Sequence, residues 1–346
     1  MQPEEIKMQS PLLSVIIISH NQRSELRRCV DSVLAQNIPF EYEIILSDDR
    51  STDGTFELAQ EYAAKYPFIT ASQCNSDECD PANNSQRSGW NRCNGYKLAK
   101  GKYIAHVDAD DYFRKGSKVY EKQVMMLEKH PECSLCMENV CELVEGAPED
   151  SGTPWHKQKF EDGRILTKEE YIGNELFILN PAFVQRRNPD ANPVELYGKH
   201  YVDSVITYHH LQFGNIVCVG DCDYMYMKHP GAVTTTMKSA DQAILWNLAV
   251  YISALTPSLA DTFIKLNGSE YLRMINLVRH GHRISSSAKQ SISDLNVFVY
   301  KCVNKTKLSF FEKSRLNLAR TILVAQQEWN VTSKLSRKII FRLVIK

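Results

Sequence analysis

The chain has 346 residues and carries 41 basic and 41 acidic side chains, so its formal net charge is zero. It therefore lacks the overall positive field of a nucleic-acid-binding protein, and we expect no nucleic-acid partner. An apolar fraction of 43% is that of an ordinary globular protein, and the length indicates about two domains.

The N-terminal region carries no signal for export or membrane insertion. No apolar run approaches the roughly 18 residues that cross a bilayer, and the first seven residues lack a basic segment before an apolar one. We therefore expect a cytoplasmic protein whose ten cysteines are free thiols. Cys133 and Cys136, with Cys141 nearby, have no second ligand pair at zinc spacing, and we interpret them as small buried apolar residues.

Short apolar runs alternate with helical patterns over the first 130 residues. The β-branched run at 13–18 shows no alternation, which predicts a strand buried on both faces. Further strands are predicted at 43–47 and 103–107, and helices at 26–34, 55–66, a stretch ending at 99, and 118–129. This alternation predicts an α/β fold with a mostly parallel sheet flanked by helices.

The pattern loosens after residue 141. Residues 145–163 are rich in Gly, Pro, Asp and Glu and predict an exposed loop. A helix is predicted at 201–213, followed by two short strands at 216–219 and 224–227. The chain reads as helical from 239 onward, so we place a domain boundary near 235, with a helical C-terminal region from 236 to 346.

Polar residues follow three of the predicted strands. Such residues also favour turns and helix N-caps, so each group taken alone has an ordinary explanation. The carboxyl ends of parallel strands nevertheless meet at one sheet edge, where carboxylates repel unless a cation or a donor-rich ligand neutralises them. The three groups are Ser19-His20-Asn21, the segment that begins with Asp48-Asp49, and Asp108-Ala109-Asp110-Asp111.

Asp108 and Asp110 are spaced to serve one ion. Side chains two residues apart in an extended segment point the same way, so both carboxylates can approach a single divalent cation. Mg²⁺ and Mn²⁺ use one or two carboxylates together with phosphate oxygens of a substrate. The pair therefore predicts a metal site that serves a nucleoside diphosphate, and no Walker A or G-x-G-x-x-G sequence competes with it.

Four segments in this order resemble a known family. They read SVIIISHN at 14–21, CVDSVLAQ at 29–36, EIILSDDRSTDGT at 43–55 and LAKGKYIAHVDADD at 98–111. Together they resemble the inverting nucleotide-sugar glycosyltransferases of family 2, which have a GT-A fold. The likeness is close over about 12–130 and looser to about 235. It implies a catalytic domain at 1–235, with a nucleotide half at about 12–130 and an acceptor half at about 131–235.

The resemblance also implies roles for individual residues. The nucleotide-binding residues are Ser19, His20, Asn21, Asp49, Arg92 and Asp108. Asp110, with Asp108 and His229, stands where the family holds Mn²⁺ or Mg²⁺, in the manner of a DXD motif. Asp203 stands where the family has its general base, although a helix N-cap is its alternative reading. His229 likewise has the alternative of an ordinary surface or core residue.

The implied function is transfer of a hexose from a nucleotide-sugar donor, with UDP as the expected nucleotide, to a hydroxyl of a glycan or lipid-linked glycan. Such a reaction belongs to synthesis of bacterial-type surface polysaccharide or a similar glycan. Arg50, Cys93 and Val202 depart from the residues common in the family. Val202, where Glu is usual, supports the alternative of a non-catalytic sugar-nucleotide-binding or scaffold protein with the same fold. A homo-oligomer stays open.

The C-terminal tail is basic. Residues 300–346 contain eleven basic and two acidic side chains, which leaves the rest of the chain acidic. Within 333–346, Leu335, Ile339 and Leu343 recur every four positions among basic residues, the pattern of a basic amphipathic helix. Such a helix can lie on an anionic membrane, at the inner face of the cell membrane, or pack on the acidic body or a second copy.

The membrane reading of the tail makes a testable prediction. Each basic residue near an anionic surface adds on the order of 1 kcal/mol of binding. The full-length protein should therefore co-sediment with anionic vesicles at low salt, and a chain ending near residue 332 should not. Full-length protein that ignores such vesicles, or a truncated chain that binds them equally well, would contradict the membrane reading.

Overall fold

The structure is a computed structural model that describes residues 10–74, 84–148, 151–155, 160–173, 182–199 and 203–230. The chain divides into two compact units, residues 1–171 with 177–235, and residues 172–176 with 236–346. Apart from 172 and 173, the described residues belong to the first unit. The predicted boundary near 235, the helical C-terminal region and the basic tail lie outside the described residues and stay predictions, as does the departure at Val202.

The N-terminal half alternates strands and helices as its sequence predicts. The elements are β1 (Leu13–Ser19), α1 (Arg23–Leu34), β2 (Tyr42–Asp48), α2 (Thr55–Lys65), β3 (Ile69–Gln73), α3 (Asn84–Leu98) and β4 (Tyr103–Asp108). Strands β3, β2, β1 and β4 are neighbours in that order, and all three pairs are parallel. The predicted strands at 13–18, 43–47 and 103–107 are therefore confirmed.

Different helices cover the two faces of this sheet. On one face, alternate residues of β1 such as Val15 and Ile17 pack in the main apolar core with Leu26 and Val30 of α1. On the other face α3 approaches β1 closely. A Cβ added at Gly95 would lie 2.3 Å from Cγ2 of Ile16, so only glycine fits at that point of the helix. The close approach brings the polar side chains of α3 over the sheet.

The second half completes one mixed sheet. Its elements are β5 (Tyr112–Phe113), α4 (Val119–Lys129), β6 (Cys133–Val144), β7 (Thr153–Pro154), β8 (Ile165–Leu166), α5 (Lys168–Gly173), β9 (Phe183–Arg186), a π-helix (Val194–Lys199), α6 (Asp203–His210) and β10 (Asn215–Lys228). Strand β9 is antiparallel to both β4 and β6, while β6 and β10 are parallel. Strand order along the sheet is β3-β2-β1-β4-β9-β6-β10-β5.

Strand β10 corrects the expectation of two short strands at 216–219 and 224–227. It runs without a break from Asn215 to Lys228, and its register with β6 shifts between Val219 and Tyr224, where two separate strands were expected. Side chains of β6 satisfy the backbone there, since Asn139 Nδ2 donates to the Gly220 carbonyl at 3.0 Å. The Tyr224 N–H donates to Glu138 Oε1 at 2.7 Å. The polar residues at 220–223 therefore mark a bulge within one strand.

Two further expectations can be compared with the described residues. The described cysteines are free thiols, and Cys133, Cys136 and Cys141 are buried in β6, as the core reading predicts. Within the described ranges, no helix is long and apolar enough to cross a membrane.

Glu138 is a carboxyl group in the interior of β6. Its side chain is fully buried, and its Oε2 atom has no hydrogen-bond partner among the described residues. Burial raises the pKa of Glu138 to about 8; the Tyr224 N–H opposes this, and the charges of Asp223 and Asp221 add to it. The group is therefore protonated in the folded protein at neutral pH.

Glu138 should make stability depend on pH. An unfolded glutamate titrates near 4.5, so between that pH and about 8 unfolding releases a proton, and stability falls as pH rises. Each pH unit in this window costs about 1.4 kcal/mol. We expect Glu138→Gln to gain stability relative to wild type as pH rises to 8, measured by urea denaturation at several pH values. Glu145→Gln, at an exposed carboxylate, is the control, and an unchanged pH dependence in Glu138→Gln would contradict the assignment.

Candidate active site

The carboxyl ends of β1, β2 and β4 lie side by side at one edge of the sheet. Ser19 of β1 pairs with Asp48 of β2, and Ile18 pairs with Asp108 of β4. Backbone hydrogen bonds continue past the strands, because the Asp49 N–H donates to the Ser19 carbonyl at 2.9 Å. The polar segments that follow the three strands are therefore brought together, with the spacing of neighbouring parallel strands.

His20 and Asn21 form the wall of the site that follows β1. His20 Nδ1 lies 2.6 Å from the Asp49 carbonyl, so this nitrogen carries the proton and Nε2 is left to accept. Asn21 Nδ2 and the Arg87 guanidinium both lie 3.2 Å from Nε2. Asn21 Oδ1 in turn accepts the Thr52 N–H at 2.8 Å. These contacts tie the end of β1 to the loop after β2.

Asp49 lies between two arginines. Arg87 Nε donates to Asp49 Oδ2 at 2.8 Å, and Arg50 Nε donates to Asp49 Oδ1 at 3.1 Å. Arg50 adopts φ +54°, in the left-handed region that glycine enters without strain, which explains physically why a glycine would suit this position. Reasoning from the sequence missed Arg87, because it lies in α3 and follows no strand.

Asp48 and Ser19 serve the framework of the site. Asp48 Oδ2 accepts the Ser51 N–H at 2.9 Å, which is turn chemistry of the kind that Asp favours after a strand. The Ser19 side chain is buried, and its hydroxyl faces Asp48 at 3.4 Å. The Ser19 carbonyl accepts a bond from Asn91 Nδ2 at 3.2 Å. Ser19 therefore holds the loop after β2 from inside the structure.

Asp108 forms an ion pair with Arg92. The guanidinium of Arg92 donates to Asp108 Oδ1, and the Arg92 side chain is fully buried, whereas 32% of the Asp108 side chain is exposed. Burial raises the pKa of Asp108; the Arg92 charge opposes this shift, and the neighbouring Asp110 adds to it. Arg92 thus binds one oxygen of the Asp108 carboxylate from the protein interior, and part of the Asp108 side chain remains exposed.

Asp110 and His229 are 119 positions apart in the chain, and their side chains meet in the folded domain. Asp110 Oδ2 lies 2.9 Å from His229 Nε2, and both side chains are partly exposed. Arg28 of α1 fixes the backbone here, since its guanidinium donates to the Asp110 carbonyl at 2.7 Å and lies 4.6 Å from the centre of the Tyr112 ring. A carboxylate oxygen and an imidazole nitrogen are therefore brought within hydrogen-bond distance of each other at one point.

Asp111 explains how His229 reaches that point. It is buried, accepts the Tyr224 hydroxyl at one oxygen and the Met227 N–H at the other, at 2.8 Å, and so fastens the end of β10 beneath the loop. Burial raises the pKa of Asp111 well above its usual range, and the charges of Asp110 and Asp108 add to this. Met227 lies two residues before His229, so Asp111 sets where His229 emerges.

Asp203 is the first residue of α6 and is partly exposed. This position agrees with the predicted start of a helix at this part of the chain. It is compatible with both readings of the residue, as a group that stabilises the first turn and as a proton acceptor.

The donor set fits a divalent cation with few protein ligands. Among the described residues, no group of three or more His, Cys, Asp or Glu side chains is arranged to hold a metal ion. Asp110 and His229 supply two donor atoms, and Mg²⁺ and Mn²⁺ commonly complete their coordination with substrate phosphate and water. The residues present thus suit an ion that binds together with a diphosphate.

Comparison with known proteins identifies the domain. Residues 14–175 match the family model described as glycosyl transferase family 2. This stretch is a family 2 glycosyltransferase domain.

Two relatives show how far the similarity extends. The uncharacterized protein Rv1520 of Mycobacterium tuberculosis is 25% identical over 297 residues, which is 85% of this chain and 75% of that protein. A poly(ribitol-phosphate) beta-glucosyltransferase of Bacillus spizizenii is 36% identical over 101 residues, 29% of this chain and 15% of the relative.

A solved structure confirms the fold. TarS 1–349 of S. aureus, in complex with UDP-GlcNAc, is 17% identical and superimposes with a TM-score of 0.62 over 91% of each chain. At this identity the likeness establishes the fold alone, and it confirms the GT-A fold implied by the sequence.

Proposed function

We propose that this glycosyltransferase moves a hexose from a UDP-sugar to a hydroxyl of a glycan or lipid-linked glycan, with inversion at the anomeric carbon. The observation that carries the proposal is the convergence of Asp49, Asp108 and Asp110 at the edge where three parallel strands end. Ligands of open α/β sheets bind at that edge. UDP-GlcNAc in the TarS complex supports a UDP-sugar as the donor.

Donor recognition would divide between the two halves of this edge. Asp49, with His20 and Asn21, would contact the base and nucleoside, because their backbone and side-chain contacts build one continuous wall. Asp108 would accept hydrogen bonds from ribose hydroxyls with the oxygen that Arg92 leaves available. Arg87 would contribute by holding Asp49 in place.

Asp110 and His229 would hold a divalent cation, Mn²⁺ or Mg²⁺, beside the diphosphate. When bound, such an ion neutralises charge that develops on the leaving nucleoside diphosphate. Within the chain, Arg28 and Asp111 keep these two donors together, one through the Asp110 carbonyl and the other through the end of β10.

Asp203 would accept the proton of the attacking hydroxyl. A carboxylate can act as general base when it lies within hydrogen-bond reach of the nucleophile. Attack from the face opposite the leaving group then inverts the anomeric centre. Its position at the partly exposed start of α6, in the half of the domain expected to hold the acceptor, supports this role.

We infer the acceptor by analogy with a named relative. The name of the Bacillus relative describes glucosylation of a poly(ribitol phosphate), which supports a polymeric or lipid-linked glycan acceptor in surface polysaccharide synthesis. Action at the cytoplasmic face of a membrane would use the basic tail, which lies outside the described residues. Metal-dependent turnover would also exclude the competing proposal of a non-catalytic sugar-nucleotide-binding or scaffold protein.

Replacement of the proposed metal ligand tests the first half of the mechanism. We expect Asp110→Ala to lose metal-dependent binding of UDP and donor hydrolysis, because it removes a hard-cation ligand and no core contact. The readouts are UDP titration with and without Mn²⁺, and thermal unfolding to verify the fold. Asp190→Ala, in an exposed turn, is the matched control. Wild-type Mn²⁺-dependent binding in Asp110→Ala would contradict the metal assignment.

Asp203→Asn separates the base from the helix cap. Asparagine caps helices about as well as aspartate but cannot take a proton at neutral pH. The base reading therefore predicts unchanged stability and donor affinity with turnover reduced roughly 10²–10⁴-fold. The cap reading predicts unchanged turnover in Asp203→Asn and a loss of stability in Asp203→Ala. Sugar-transfer or donor-hydrolysis rates, measured beside thermal unfolding, decide between the two readings.

A further inference from the structure

Three fully buried polar side chains lie behind the Arg92–Asp108 ion pair, and the proposed reaction uses none of them directly. They are His106 of β4, Gln185 of β9 and Tyr197 of the π-helix. The Tyr197 hydroxyl lies 2.9 Å from His106 Nε2 and 3.0 Å from Gln185 Nε2. Polar groups in an apolar interior are costly unless they are hydrogen-bonded, so the Tyr197 hydroxyl fixes the relative positions of all three.

Tyr197 contacts both elements that carry the ion pair. His106 and Asp108 are two residues apart on β4 and therefore share the face that α3 covers. On α3, Tyr96 lies one turn beyond Arg92. The Tyr197 ring lies 4.9 Å from the His106 ring and 5.6 Å from the Tyr96 ring. It is thus wedged between the strand of Asp108 and the helix of Arg92.

The π-helix holds α3 at a second point. A Cβ added at Gly198 would lie 3.2 Å from the Trp90 ring, so this ring packs directly against the backbone of the π-helix. Trp90 and Tyr96 flank Arg92 along α3, and neighbouring π-helix residues touch both. π-helices are rare and often occur at functional sites. This one ends four residues before Asp203.

We propose that Tyr197 is a positioning residue for the donor site. Through His106 and α3 it fixes the distance between β4 and Arg92, so that Arg92 keeps the Asp108 carboxylate directed at the nucleotide. The inference rests on the proposed function, in which Asp108 contacts the donor. In this proposal the π-helix, which lies in the expected acceptor half, supports the nucleotide half through Tyr197.

Tyr197→Phe tests the proposal against a matched control. It removes the hydroxyl that joins His106 and Gln185, and we expect it to weaken UDP binding in the presence of Mn²⁺ about fivefold to tenfold. Donor KM should rise similarly while kcat stays within about twofold of wild type. Tyr96→Phe removes a neighbouring buried hydroxyl that has no hydrogen-bond partner among the described residues, and it should bind UDP as wild type does. A purely structural role predicts lower thermal stability in Tyr197→Phe with wild-type KM.

A second pair of variants decides the matter if Tyr197→Phe does not fold. His106→Gln keeps a side chain that can hydrogen-bond to the Tyr197 hydroxyl, whereas His106→Leu removes it, so only His106→Leu should weaken UDP binding. Equal UDP affinity in these two variants, or in wild type and a folded Tyr197→Phe, overturns the inference and leaves the proposed function intact. Wild-type protein that binds no UDP with Mn²⁺ refutes both.

Discussion

Several carboxylates lie together at one edge of the sheet, and the structure of this domain must offset the repulsion among them. Parallel strands bring Asp49, Asp108 and Asp110 together, and donors from α3 hold the first two while donors from α1 and the residue after β10 hold the third. Arg87 and Arg50 hold Asp49, Arg92 holds Asp108, and Arg28 with His229 holds Asp110. The loops after the strands are thereby fixed in an arrangement that their own charges oppose.

The ion pair between the fully buried Arg92 and the partly exposed Asp108 places the strictest requirement on the packing of this domain. A charged group that is fully buried must be paired, and removal of one partner of such a pair commonly costs about 3–5 kcal/mol. Arg92 meets this demand only if α3 lies close to the sheet, which the absence of a side chain at Gly95 permits. The glycine at position 95 thus allows the helix packing that places Arg92 beside Asp108.

The carboxylates divide into two groups by their surroundings. Asp48 and Asp111 are buried and accept hydrogen bonds from the backbone and from hydroxyl groups, so they build the loops. Asp108 and Asp110 keep part of their side chains exposed beside His229 and remain available to a ligand. The turn explanation considered at the start therefore holds for Asp48 and Asp111, while ligand binding by Asp108 and Asp110 remains our proposal.

Sequence patterns predicted the elements formed by an unbroken run of apolar residues, and missed elements in which apolar and polar residues are interspersed. The β-branched run of β1 is buried on both faces and was recognisable, whereas β3 at the sheet edge, with the sequence ITASQ, carries one buried apolar side chain. Strand β10 looked like two strands, because its bulge is stabilised by Glu138 and Asn139 far away in the sequence.

The site was predictable to the extent that its residues follow strands. Asp49, Asp108 and Asp110 were found in this way, whereas Arg87 and Tyr197 lie in helices and carry no local signal of their roles. Their importance arises from contacts with residues 38 and 91 positions away in the chain. Only a structure shows such contacts.

The most direct test of this account is calorimetric titration of the full-length protein with UDP, GDP and CDP, each with Mn²⁺ and with the metal chelated. We expect UDP to bind the tightest and chelation to weaken its binding at least about tenfold, because Asp110 and His229 would then lose the ion that we propose they share with the diphosphate. Failure of all three nucleotides to bind, or UDP binding that is unaffected by chelation, would contradict the account.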